Sequence, residues 1–165
     1  MPVSDELILV VEDSDEDVEA IERAIGRSHP DVRLEFVRRG DAVLPRLADP
    51  AVPLPDLVLL DLNMPGESGL TILTGVRAVR AYDEITIVVF TSSAAPAEAD
   101  LCYAAGADSY IYKPINFALF QTVLRSTIDY WRSRAATAPA TGSDEVTGKV
   151  SQTVVPPPGT ESAQA

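Results

Sequence analysis

The stretch "LLDLNMPG", residues 59–66, runs an apolar, strand-like segment straight into Asp61 and then breaks it with Pro65-Gly66. A carboxylate buried alone at that point would cost several kcal/mol. The cost disappears if Asp61 stands at the tip of a strand, partly wet and compensated by neighbouring charges. Pro65-Gly66 then stops the strand and bends the chain away, and Gly69 permits the turn into the next helix.

Working outward, apolar runs of strand length recur at "LILVV" (7–11), "VRLEFV" (32–37), "LVLL" (57–60), "ITIVVF" (85–90) and "SYIY" (109–112). Several are continuous rather than alternating, which suits strands covered on both faces. Between them lie segments of helical spacing. Val18, Ile21 and Ile25 follow Asp15 as N-cap, and Leu70, Leu73, Val76 and Val79 follow Gly69. Pro96 opens an Ala-rich stretch with Leu101, Tyr103 and Ala104. Phe117, Phe120, Val123, Leu124, Ile128 and Trp131 stripe a final helix capped by Asn116. The second helix, Asp41 to Leu47, is the least defined, with Pro45 tolerable only in its first turn. Strand and helix thus alternate about five times, the pattern of an α/β fold with a parallel sheet and helices on both faces.

The chain has 165 residues and a formal net charge of -12. That length serves one domain with a sizeable core. The reading divides it into an N-terminal extension (1–5), a folded domain (6–134) and a low-complexity tail (135–165) expected to be disordered, save a short extended piece at "VVPPP". No stretch approaches the roughly 18 to 20 apolar residues of a membrane span. The N-terminus begins with acids and does not resemble a secretory signal. Cys102, the sole cysteine, excludes an internal disulfide and fits a reducing cytoplasm. The acidity argues against nucleic acid as a partner and for basic partners or a metal cation.

In such a sheet, function collects beyond the C-terminal ends of the strands. Glu12 and Asp13 fall at the tip of the first strand, Asp61 at the third, Thr91 and Ser92 at the fourth, and Lys113 at the fifth. Carboxylates that close repel unless a cation sits among them, and an oxygen-only ligand set with room for water suits Mg2+ or Mn2+. A cation held there would neutralise an incoming phosphoryl group, with Asp61 as the nucleophile that receives it. Lys113 and Lys149 are the only lysines among 13 Lys and Arg. The folded domain therefore uses lysine once, at a strand tip, where a compact ammonium can approach a phosphoryl oxygen.

These residues resemble the receiver domain of bacterial two-component response regulators, whose best-known member is the chemotaxis regulator. The similarity rests on the Glu12-Asp13 pair, "LLDLNMPG" with Asp61, then Gly69, Thr91 and "YIYKP" with Lys113-Pro114. It implies a flavodoxin-like sheet of order 2-1-3-4-5 with five helices. By this resemblance Asp61 is the phosphoacceptor, taking a phosphoryl group from a sensor histidine kinase or a phosphotransfer protein. Asp13, Asp61 and the backbone carbonyl of Asn63 would hold Mg2+, with Glu12 acting through water. Lys113 would pair with the phosphoryl group across a cis bond to Pro114. Thr91 and Tyr110 would move together as the switch. The family comparison also implies a stand-alone regulator in the cytoplasm, with no turnover enzyme activity. "FTSS", "KPINFALF" and "DYW" are similar to the small regulators that partner bacterial phytochromes. Some of those relatives form homodimers, for which Phe117, Phe120 and Trp131 would be the contact residues here, although such a stripe is more often core than interface.

Each of these residues also has a plainer role open to it. Glu12 and Asp13 would serve the dipole of the first helix, Ser92 and Ser93 would be linker or cap residues, and Cys102 and His29 would be structural. A small phosphatase is disfavoured because Asn63 stands where such an enzyme needs a second acid. A flavin-binding reading meets "EDSDED" after the first strand, which repels phosphate.

Overall fold

The computed structural model describes residues 5–93, 95–136, 154–155 and 157. Five parallel strands form the sheet: β1 (Leu7–Val11), β2 (Arg33–Val37), β3 (Leu57–Leu60), β4 (Thr86–Thr91) and β5 (Ser109–Tyr112). Between and after them run α1 (Asp15–Ser28), α2 (Val43–Leu47), α3 (Gly69–Arg77), α4 (Pro96–Ala104) and α5 (Phe117–Ala136). The order is β2-β1-β3-β4-β5, as the resemblance implied, and a sixth strand, β6 (Val154–Val155), follows at the β5 edge.

The continuous apolar runs are explained by the two cores. Every residue of β1 and of β3 is buried. Successive side chains point to opposite faces, so Leu9 and Val11 pack with Val43, Leu47, Ile72, Leu73, Val76 and Cys102. Ile8 and Val10 enter the other core with Ile21, Ile25, Phe120, Val123, Leu124 and Ile128. Each such aliphatic side chain removed from water contributes roughly 1.5–3 kcal/mol. The helix stripes seen in the sequence are therefore the faces laid on the sheet.

Local chemistry sets the helix starts. α1 is capped one residue earlier than expected: Ser14, in extended conformation, accepts the Asp17 N–H at 3.3 Å, and Asp15 is the first helical residue. A hydroxyl there bonds a free first-turn donor while Asp15, Glu16 and Asp17 face the positive helix end. Asn116 caps α5 through its side-chain oxygen, which accepts the Leu119 N–H at 3.0 Å. Pro45 lies in the first turn of the short α2, after a 3-10 turn at Gly40–Ala42.

The short extended piece expected at "VVPPP" is where Val154–Val155 pairs antiparallel with β5, because the last parallel strand leaves backbone donors and acceptors to satisfy. The rest of the expected disordered tail, residues 137–153, 156 and 158–165, lies outside the described residues. Phe120, one of the three residues named for a dimer contact, is a core residue, buried at 5% exposure with its ring 5.4 Å from that of Phe90. Phe117 stacks on Phe120, and Phe117 and Trp131 are partly buried against the same core.

Candidate phosphoacceptor site

The crossover between β1 and β3 builds the site. Backbone ladders continue past the strand ends: Glu12 N–H donates to Val37 O at 3.0 Å and Asp61 N–H to Val11 O at 3.1 Å. They hold the two acidic tips side by side. Gly69 lets the start of α3 close on the same point, with its N–H bonded to Leu62 O at 3.0 Å. A Cβ at Gly69 would lie 2.6 Å from Leu62 Cα and 2.8 Å from Asp61 O. Gly66 takes φ 91, a left-handed value that suits glycine and completes the turn begun at Pro65.

One carboxylate oxygen each from Glu12, Asp13 and Asp61 lies within 4.8 Å of the others. Glu12 and Asp61 are buried and Asp13 is exposed, so the cluster opens to solvent on one side. Two unit charges at that separation repel by about 3 kcal/mol at an effective dielectric of about 20. Burial, above all, pushes the Glu12 carboxyl up to about 7, against the downward pull of Lys113. Asp61 Oδ1 accepts the Asn63 N–H at 3.4 Å, tying Asn63 to Asp61.

Lys113 is buried at 7% exposure. Its Nζ lies 2.6 Å from Glu12 Oε1, 2.7 Å from Asp17 Oδ2 and 3.5 Å from Asp61 Oδ2. Desolvation lowers its pKa, but the hydrogen bonds to Asp17 and Glu12 outweigh it and the net shift is upward. Asp17 was missed in the sequence. Its only signal was its place in the first turn of α1 beside the acid pair, where an acid is ordinary for helix capping. One ammonium thus faces three carboxylates, those of Glu12, Asp17 and Asp61. The Lys113–Pro114 bond is trans, contrary to expectation; trans is the intrinsically favoured isomer by about 0.5–1 kcal/mol, and Lys113 reaches its partners from it.

Thr91 and Tyr110 are both fully buried, and they meet at a residue the sequence gave no reason to choose. Thr91 Oγ1 accepts the Ser93 N–H at 3.3 Å, while the Tyr110 hydroxyl donates to the Ser93 carbonyl at 2.9 Å. Ser93 also donates its hydroxyl to Glu98 of α4. It therefore joins the end of β4 and Tyr110 of β5 to α4 instead of capping that helix, whose N-cap is Ala95. Tyr110 is already inward, and burial pushes its phenol up to about 12. His29 closes α1 onto α5, with Nε2 2.7 Å from Asp129 Oδ1 and Nδ1 2.8 Å from Ser28 Oγ, a structural role as read.

The donor set is all oxygen, clustered and open on one side, which is the chemistry of a Mg2+ or Mn2+ site rather than of zinc or iron. A doubly wound α/β fold with an acidic cluster and a buried lysine at its strand ends is the arrangement of a signalling receiver domain. The family model of the response regulator receiver domain matches residues 8–125, and the chain belongs to that family.

A probable methanogenesis regulatory protein, FilR2 of Methanothrix harundinacea, is 30% identical over 128 residues, covering 76% of this chain and 83% of that one. Response regulator Rcp1 of Synechocystis is 27% identical over 129 residues, covering 76% and 88%. Its Mn(2+)-bound crystal structure superposes with a TM-score of 0.72 at 25% identity, over 84% of this chain and 99% of that one. The phosphorylated cyanobacterial phytochrome response regulator RcpA gives 0.73 at 25% identity, over 84% and 98%. Other curated relatives are longer, and the chain spans only 27%, 37% and 32% of three of them. Among the described residues no helix is long and apolar enough to cross a membrane.

Proposed function

We propose that Asp61 accepts a phosphoryl group from a phosphohistidine of a sensor histidine kinase. An Asp61 carboxylate oxygen attacks phosphorus, the nitrogen–phosphorus bond of the donor breaks, and the departing imidazole takes up a proton. The observation that carries this reading is the meeting of Asp61, Glu12, Asp13 and Lys113 at one strand-end crevice. Asp13, Asp61 and the Asn63 carbonyl, with Glu12 nearby, would hold a divalent cation, Mg2+ or Mn2+, which would neutralise charge on the transferring group.

The chain's own residues do the rest. Lys113 turns its ammonium from Asp17 toward a phosphoryl oxygen once one is present. Thr91 exchanges its bond from Ser93 for one to the phosphoryl group. Ser93 then shifts against the Tyr110 hydroxyl, and the β4–α4 surface changes with it. Signalling follows from that altered contact surface, a two-state packing change biased by local charge. The chain catalyses only its own phosphorylation and slow hydrolysis, in the cytoplasm.

The donor we favour is a phytochrome-type histidine kinase, supported by the likeness to RcpA. The test is phosphotransfer from such a kinase, labelled on its histidine, in Mg2+. Label should pass to this chain and not to an Asp61→Asn variant. Transfer from other kinases but not from phytochrome-type ones would reject the partner and leave the acceptor standing.

A further inference from the structure

The last parallel strand, β5, has an outer edge whose N–H and C=O groups need partners. Val154–Val155 supplies them, with Val155 opposite Tyr110 and Val154 opposite Ile111. Tyr103 of α4 fastens the pair from the side. Its phenol oxygen accepts the Tyr110 N–H at 3.1 Å and donates to the Val155 carbonyl. Tyr103 and Val155 are half-buried, and both pack on the core cluster that contains Tyr110. β-Branched residues suit such a strand. "PPP" follows the two valines, and proline, with no N–H, ends the pairing.

We propose that the outer edge of β5 is an acceptor site for a short, extended, β-branched peptide, and that the chain's own Val154–Val155 is its resident ligand, held in cis. Backbone pairing supplies attachment, Tyr103 fixes the register, and any strand-adding partner must first displace the tail. α5, 20 residues long, spans about 30 Å. Residues 137–153 can extend over roughly 55 Å, enough to return along it. Attachment in one chain makes the pairing intramolecular, so a second copy competes only at its own free concentration. The acceptor site does not depend on the phosphorylation reading. Only its bearing on Tyr110 as a switch rests on the proposed function.

The test needs no phosphoryl donor. The full chain carrying Val154→Asp and Val155→Asp is compared with wild type by amide NMR, and a synthetic peptide of residues 150–160 is titrated into each. Tyr103, Tyr110 and Tyr112 signals should move in the variant while those of β1 and β3 stay. The peptide should bind the variant at least tenfold more tightly than wild type and return its signals toward wild-type positions. Tyr103→Phe, which keeps the ring and drops both hydrogen bonds, should move the same signals less. Unmoved signals, or a peptide that treats both proteins alike, would overturn the assignment. So would a dimeric wild type beside a monomeric variant, since the strand would then come from a second copy.

Discussion

Lys113 Nζ sits 2.7 Å from Asp17 Oδ2 but 3.5 Å from Asp61 Oδ2. The ammonium is thus held more closely by a neighbour than by the acceptor it would serve. Asp17 also adds a negative charge that an incoming phosphoryl anion must approach. Both effects act in one direction, so Asp17→Asn should phosphorylate faster from acetyl phosphate. Relief of about 1 kcal/mol corresponds to roughly fivefold. The initial rate at saturating Mg2+ decides it; an unchanged or slower rate would mean that Asp17 positions Lys113 usefully.

Gly69 packs α3 against Asp61 and Leu62 with no room for added bulk. A methyl group there must push the Asp61–Leu62 backbone, which it would meet at 2.6–2.8 Å. Gly69→Ala should cost about 1–3 kcal/mol of stability, the usual range for overpacking. It should also weaken Mg2+ binding, because Asp61 moves. Denaturant unfolding and a metal titration on the same variant check both; a loss of stability with unaltered metal affinity would show that α3 yields instead of the acceptor.

The alternation of apolar runs and helical stripes made the five strands and their helices readable, since buried parallel strands and amphipathic helices leave strong periodic marks; the strand order 2-1-3-4-5 was implied only by the resemblance. Asp61, Glu12, Asp13 and Lys113 were readable because strand tips can be located from where those runs stop. Asp17 and Ser93 were not, for a physical reason. Each acts through a contact between elements, Asp17 across to β5 and Ser93 between Thr91 and Tyr110, and neither has a local pattern that differs from ordinary helix capping or loop chemistry. Val154–Val155 left only a two-residue apolar mark in a Pro-rich tail. Its pairing with β5 depends on an edge far away in sequence.

Tyr110→Phe removes the hydroxyl that donates to the Ser93 carbonyl and lies against Glu98. The expected cost is about 1 kcal/mol, the ordinary net worth of one such bond, read as a lower denaturant midpoint at unchanged slope. Phosphorylation should persist. Loss of phosphorylation in this variant would mean that the hydroxyl takes part in the chemistry and not only in the switch.

Acid sensitivity follows from Glu35. Its hydrogen bonds from Arg46, at 2.6 and 2.9 Å, hold its carboxyl below the ordinary value of 4.5. A folded-state pKa below the unfolded one gives stability that is present above 4.5 and lost as pH falls through the folded value. Arg46→Met should therefore be destabilised relative to wild type at pH 7, and the gap should narrow at pH 3. Urea unfolding at the two pH values measures it; a gap that stays constant would assign the loss to packing alone.

If Asp61 accepts the phosphoryl group beside a compensating cation, its modification must need both that carboxylate and the metal. Intact-mass spectrometry after incubation with acetyl phosphate, with Mg2+ or with EDTA, reads this on the whole protein. Wild type should gain the mass of one phosphoryl group in Mg2+ and none in EDTA, and Asp61→Asn should gain none in either. An Asp61→Asn protein that gains the phosphoryl mass as readily as wild type would rule Asp61 out as the acceptor.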